Sequence, residues 1–403
     1  MKALRIGMEL YVRIALLLAV GLTNLSTEGT AQRVIFENGA SSTGWLNFEF
    51  QDGKRILVPA KINGHDTKVL LITGLPVSDI DKAFATSIGV RPKDDPEALS
   101  SSSANSTALL KGIRIQIGGM TLPGTTASPV DFRELSKRVG YPLTFLLGDD
   151  AFAELSVDID FRRHRIVFSK PATQSKPRGA VELPLIRVDG IPLVPVSIEG
   201  APPAEFELGL GNSGELLVYQ SYYESHKLLL GRKISKRLAG GTGGFIEEPV
   251  GTLEHIDFAG VTFGRMPAAF ILQNLAGTVP SIVAGDLGLP ILARFRLILD
   301  YSHKRLYLVP YGNAALAPFP KDRLGLFLTK EGDGFLVQFV APDSPAVAAG
   351  FKVGDKITHI DGKPAEAWPG TSFTDVRYGA TGTNLIFTMH DGSIRRVKLA
   401  DYF

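Results

Sequence analysis

The chain has 403 residues, of which 44% are hydrophobic, 21% charged and none cysteine, and its formal net charge is +2. That length exceeds one ordinary core and fits two or three domains. The mixed, nearly balanced charge excludes the basic face or stripe of a nucleic-acid binder, and the lack of cysteine excludes disulfides and thiolate chemistry. The histidines (His65, His164, His226, His255, His303, His359 and His390) are scattered, with no pair at the spacing of a zinc site. Neither a metal nor a cofactor is expected.

Lys2, Arg5 and Arg13 precede an apolar run, Ile14 to Leu22, and a polar stretch then ends in Gly29-Thr30-Ala31. This charged, apolar, small-residue order predicts a signal peptide over residues 1–31, cleaved after Ala31. The run is about half of the ~20 residues that span a bilayer. An uncleaved anchor is the alternative, and with no cysteine near the cleavage site a lipid anchor is not expected. The mature protein is expected in a periplasm or outside the cell, without a membrane span.

From residue 46 to about 310, short apolar runs alternate with Gly, Pro, Asn and Asp. Strands are predicted at Arg55 to Ile62, Val69 to Thr73, Ile113 to Ile117, Val157 to Asp160 and Arg165 to Phe168. The helix candidates are Ile80 to Ile88 and Gln220 to Leu228, so the region is mostly β. It also repeats. Leu57-Val58-Pro59-Ala60-Lys61-Ile62-Asn63-Gly64 matches Leu193-Val194-Pro195-Val196-Ser197-Ile198-Glu199-Gly200. Phe145-Leu146-Leu147-Gly148 matches Ile282-Val283-Ala284-Gly285, and Val157 to Phe168 matches Leu297 to Leu308. A repeat of roughly 130 residues exceeds the ~20–50 of solenoid or propeller units, so two lobes are expected, 46–170 and 180–310. The polar, proline-punctuated stretch Lys170 to Gly179 joins them. After Pro310 the pattern breaks, and a further domain is expected over 320–403.

The turns in each half carry a resemblance. The first reads Val69-Leu70-Leu71-Ile72-Thr73-Gly74, and the second Phe206-Glu207-Leu208-Gly209-Leu210-Gly211-Asn212-Ser213-Gly214. The region resembles retropepsin-like aspartic proteases, in the duplicated bacterial form with an appended PDZ domain. In that family each lobe presents a hydrophobic strand, then Asp-Thr/Ser-Gly, and later two hydrophobic residues and a glycine. The resemblance implies a mostly β, two-lobed acid-protease-like β-barrel fold followed by an α+β PDZ domain. It puts Ile72 and Gly209 at the two aspartate positions and Leu210 at the second threonine.

Two close carboxyls share one proton, so that one serves as base toward water while the other polarises the carbonyl. An aliphatic branch and a bare α-carbon can do neither. No catalytic residue is therefore assigned, and Ile72, Thr73, Gly74 and Gly209, Leu210, Gly211 are read as degenerate turns. Asp79 and Asp81 are expected to cap a helix. Glu207 points to the face of Gly209 but lies about 7 Å further along the strand. Glu215, Asp149, Asp150 and Asp286 are expected at surface or cap positions. Flap hairpins over the cleft are expected around Ser100 to Ser106 and at Ala239 to Phe245, whose glycine run lacks the Lys-Ser/Thr ending of a phosphate loop.

In the last domain, Leu324-Gly325-Leu326-Phe327 resembles the carboxylate-binding loop of a PDZ domain. Phe335 to Val340, Ser344-Pro345-Ala346, Val353-Gly354-Asp355 and Asp361-Gly362 follow in the family's order. The resemblance implies β-augmentation, with a partner's strand added at the Leu326 edge, its carboxylate on the backbone N–H groups of Leu324 to Leu326, and a helix near Phe373 to Tyr378 as the other wall. A PDZ domain that only packs on the lobes is the alternative. The reading is an exported pseudoprotease that binds peptide or protein ligands. The alternatives are an active endopeptidase using a non-standard acid, and an envelope scaffold acting through the PDZ domain.

Overall fold

A computed structural model describes residues 34–91, 109–171, 176–241, 244–272, 282–368 and 371–403. The segment 1–31 read above as a signal peptide, the Ser100 to Ser106 flap candidate, residues 242 and 243 of the second flap candidate and part of the 170–179 connection lie outside these residues. The structure is mostly β. Among the described residues no helix is long and apolar enough to cross a membrane.

In the first half, β1 (Arg55–Ile62) and β2 (His65–Leu71) form a hairpin. Its turn, Asn63-Gly64, has both φ angles positive, at 48° and 85°, the conformation a two-residue hairpin needs. β3 (Ser78–Asp81) leads into α1 (Lys82–Ser87), where the Asp81 carboxylate accepts the Phe84 N–H at 2.9 Å. Ile80 therefore lies in a strand and is not the first residue of the helix. β4 (Leu110–Ile117) and β5 (Met120–Val130) form a second hairpin, and β6 (Phe145–Leu147) inserts between β2 and β3. β7 (Ser156–Asp160) and β8 (Arg165–Ser169) close the half.

The second half opens with β9 (Val181–Pro184), β10 (Ile186–Val188) and β11 (Ile191–Ile198). Glu199-Gly200 turns with φ angles of 52° and 77°, like Asn63-Gly64. Next come β12 (Ala204–Gly209), β13 (Leu216–Tyr219), a helix at Gln220–Ser225, the long hairpin of β14 (Ser235–Gly241) and β15 (Gly244–Phe258), then β16 (Val261–Ile271) and β17 (Val283–Gly288). The helix at 220 stops short of Leu228, and Lys227 has a positive φ of 52°.

The two halves follow one path. β2 runs parallel to β6, β6 antiparallel to β3, and β3 parallel to β5. Likewise β12 runs parallel to β17, β17 antiparallel to β13, and β13 parallel to β16. A third sheet belongs to both halves: β7 and β8 of the first pair through β7 with β18 (Phe295–Asp300), which pairs with β19 (Arg305–Pro310). One apolar core, including Ile56, Phe145, Phe206, Phe258 and Phe295, runs through the two halves.

Residues 324–403 have their own core around Phe335, Phe351, Ile357 and Phe387. Their sheet runs β20 (Leu326–Glu331), β21 (Gly334–Val340), β22 (Lys356–Ile360), β23 (Asn384–Met389) and β24 (Ile394–Lys398), with β20 at one edge. A smaller apolar cluster of Phe339, Tyr402 and Phe403 packs on Val250 and Leu238 of the second half.

Candidate functional site

The turns Ile72–Gly74 and Gly209–Gly211 face each other across the seam between the halves. Thr73, fully buried, donates its hydroxyl to the Leu208 carbonyl and accepts the Leu210 N–H at 3.0 Å. Leu210 takes the equivalent place in the other turn and has no hydroxyl to return these bonds. A β-carbon at Gly211 would lie 2.7 Å from Ile72 Cγ2, so the isoleucine branch fills space beside that glycine.

Strand pairing sets the register. Leu71 lies opposite Leu147, and Leu208 opposite Leu287. The counterpart of Gly148 is thus Gly288, three residues beyond the Gly285 that the repeat suggested. The register shifts between Glu205 and Phe206, which lie opposite Val283 and Gly285. Gly285 is small for another reason: a β-carbon there would fall 2.1 Å from the Leu217 carbonyl oxygen.

This register brings two acids together. Glu207 and Asp286 stand opposite each other on β12 and β17, 8% and 9% exposed. Their counterparts in the first half, Leu70 and Leu146, are apolar and packed with Phe132 and Leu143. A β-carbon at Gly74 would lie 1.9 Å from Glu207 Oε1, and one at Gly209 would lie 1.9 Å from Asp286 Oδ1. The Glu207 side chain therefore reaches across the seam to the first turn, and the Asp286 carboxyl fills the space left by the missing side chain of Gly209. Burial pushes Glu207 up to about 7. Asp286 is raised well above the carboxylate range by burial and by Glu207 beside it. Asn212 nearby works the other way, but its Nδ2 and Asp286 Oδ1 are both left without a hydrogen bond of normal geometry. Two such groups hold one proton between them more readily than they ionise together. The surface or cap position expected for Asp286 is corrected, as is the view that Glu207 falls short of the centre.

The remaining acids divide by surroundings. Asp81 caps α1 as expected, but Asp79 lies within β3, is 9% exposed, and is raised to about 6 by burial and by Asp150. Asp150 accepts the Ser78 N–H at 3.0 Å and its hydroxyl at 2.8 Å. Asp149, fully buried, pairs with Arg187 of the second half beside Tyr301. It is a cross-seam ion pair, not a surface residue. Glu215 is raised by burial, with Arg237 opposing. Among the described residues no group of three acids or histidines could hold a metal ion.

Of the run Ala239 to Phe245, the described residues pair between two strands, Gly240 with Phe245 and Gly241 with Gly244. The Leu324–Phe327 loop lies near the start of that pairing, where Leu238 and Phe327 pack on one apolar cluster. The Leu324 and Gly325 N–H groups converge, each 2.9 Å from Asp322 Oδ1. Gly325 has a φ of +80°, and a β-carbon on it would meet Ser344 at 2.2 Å. The Phe373 to Tyr378 wall is a 3-10 helix, Ser372–Tyr378, packed near β20. A cleft of about 1390 Å³ has Ile72, Gly209, Glu207 and Asp286 on its floor, and the Leu326–Thr329 edge and Arg377 along its other side.

Residues 323–377 match the family model described as PDZ domain. That PDZ domain accounts for the edge strand, the glycine loop and the helical wall, and it points to peptide C-termini or proteins as partners. No curated protein matches the chain.

Sequence reasoning missed Glu207, Asp286 and Asp322 as site residues. The first two had a readable signal. Each is an acid two residues before a glycine, Glu207-Leu208-Gly209 and Asp286-Leu287-Gly288, flanked by apolar residues.

Proposed function

We propose that the chain is an aspartic-protease-like protein, with lobes at 46–170 and 180–310 and a PDZ domain at 320–403, that binds extended peptide or protein segments without cleaving them. The observation that carries this reading is the shared cleft: the PDZ edge strand opens into the same space as the two degenerate turns. An extended ligand pairs its backbone with such an edge and puts alternate side chains into pockets. Ile72 and Gly209 leave the aspartate positions without a titratable group. The 1–31 segment, read as a signal peptide, would deliver the protein to a periplasm or the exterior.

The test is binding of a fluorescent random decapeptide pool to the full chain, with two variants. Phe327→Pro removes the N–H with which β20 pairs to β21 opposite Phe339, distorting the edge that a ligand would join, and Leu217→Arg fills part of the cleft lining. Both should weaken binding about tenfold. A loss confined to Phe327→Pro would limit the site to the PDZ domain and overturn the shared cleft.

One observation favours a second reading, an endopeptidase with a non-standard acid pair: Glu207 and Asp286 meet at the seam, buried, with elevated pKa values. Cleavage of unfolded casein between pH 4 and 7 that is lost in both Glu207→Gln and Asp286→Asn would establish it. No cleavage across that range would remove it.

A further inference from the structure

The carboxylate-binding loop already holds a carboxylate of the chain itself. Asp322 Oδ1 accepts from both Leu324 N–H and Gly325 N–H at 2.9 Å, and the Tyr402 hydroxyl hydrogen-bonds the same side chain. Converging backbone N–H groups of this kind form an anion-binding concavity, and bonds to an ionised acceptor are the stronger kind. A ligand's terminal carboxylate would have to expel Asp322 or lie against it, anion to anion. The cleft also does not stop at this loop. Arg237, Leu238 and Phe403 line the same cleft as Asp322, so the space around β20 is not closed off at the loop.

We infer that Asp322 fills the carboxylate loop, and that the PDZ groove therefore takes an internal extended segment of a protein in preference to a free C-terminus. This rests on the peptide-binding reading of the groove above. Arg377, partly buried on the helical wall, interacts electrostatically with the Asp322 carboxylate.

The experiment uses the full chain and two display libraries of random decapeptides, one ending in a free carboxylate and one followed by a fixed Gly-Ser tail. Enriched peptides are then made with a C-terminal acid and with a C-terminal amide. The wild type should select from the tailed library and bind acid and amide forms within about twofold. Asp322→Ala, with its loop open, should prefer the acid form by about tenfold. Asp322→Asn, which keeps an acceptor oxygen in place, should remain indifferent. A wild type that prefers the acid form tenfold overturns the inference and leaves the groove reading intact. No enrichment from either library overturns the groove reading itself and the inference with it. Should Asp322→Ala fail to fold, the wild-type comparison of acid and amide still decides.

Discussion

Glu207 lies beside Asp286 on a parallel strand and at the same time touches Gly74 from the opposite half of the molecule. A buried acid whose pKa is raised in the folded state binds more protons there than in the unfolded chain. Stability must then fall as pH rises through the interval between the two values. For Glu207 that interval runs from the ordinary glutamate value to about 7. Denaturant melts should show the wild type losing roughly 2–3 kcal/mol between pH 4.5 and 7.5. Glu207→Leu with Asp286→Leu, which restores the residues of the first half, should flatten that slope and raise stability at pH 7.5. An unchanged slope would refute the pairing.

Thr73 offers a sharper test of the seam. Thr73→Val keeps the shape but strands the Leu208 carbonyl and the Leu210 N–H in a dry interior. A loss of about 2–4 kcal/mol in chemical denaturation is expected. Leu210→Thr should recover less than that loss, because its hydroxyl would face the first turn and not the Leu208 carbonyl and Leu210 N–H left unpaired.

Asp149 and Arg187 form another cross-seam contact. Burial raises Asp149 to about 6, with Arg187 opposing that rise. Arg187→Met should destabilise by about 2–4 kcal/mol at pH 8, discounted because the guanidinium is about one-third exposed. As pH drops toward 4 the orphaned carboxyl protonates and the deficit should shrink. A pH-independent deficit would mean that Arg187 acts by packing alone.

The anchoring of the PDZ domain is testable at Phe403. Its ring lies 4.5 Å under Lys321 Nζ, and its backbone oxygen accepts from Lys321 and from Thr252. Phe403→Ala should remove about 3–4 kcal/mol of packing and speed proteolytic cutting between residues 311 and 322. Unchanged digestion would show that the domain is held elsewhere.

What could be read from the sequence was what repeats. Asn63-Gly64 and Glu199-Gly200 announce their turns because their side chains and φ angles obey local rules. Strand limits came out within a few residues for the same reason. The Gly148 counterpart was misplaced because a register shift near Phe206 has no local sign; only the facing strand reveals it. Glu207 was discounted because a distance along one strand says nothing about a side chain crossing to the other half, and Asp286 because the misplaced register set it just after the loop glycine. Nothing local marks Asp322, since an aspartate two residues before Leu324 fits an ordinary turn. Only the fold shows which anion site that turn fills.

On the floor of the cleft, Leu70 and Leu146 of the first half answer Glu207 and Asp286 of the second. A peptide bound there as proposed would meet oil on its left and acid on its right. Turned end for end, it would present each side chain to the wrong bank. The loss of twofold likeness thus gives the channel a sense of direction that a symmetric floor would lack.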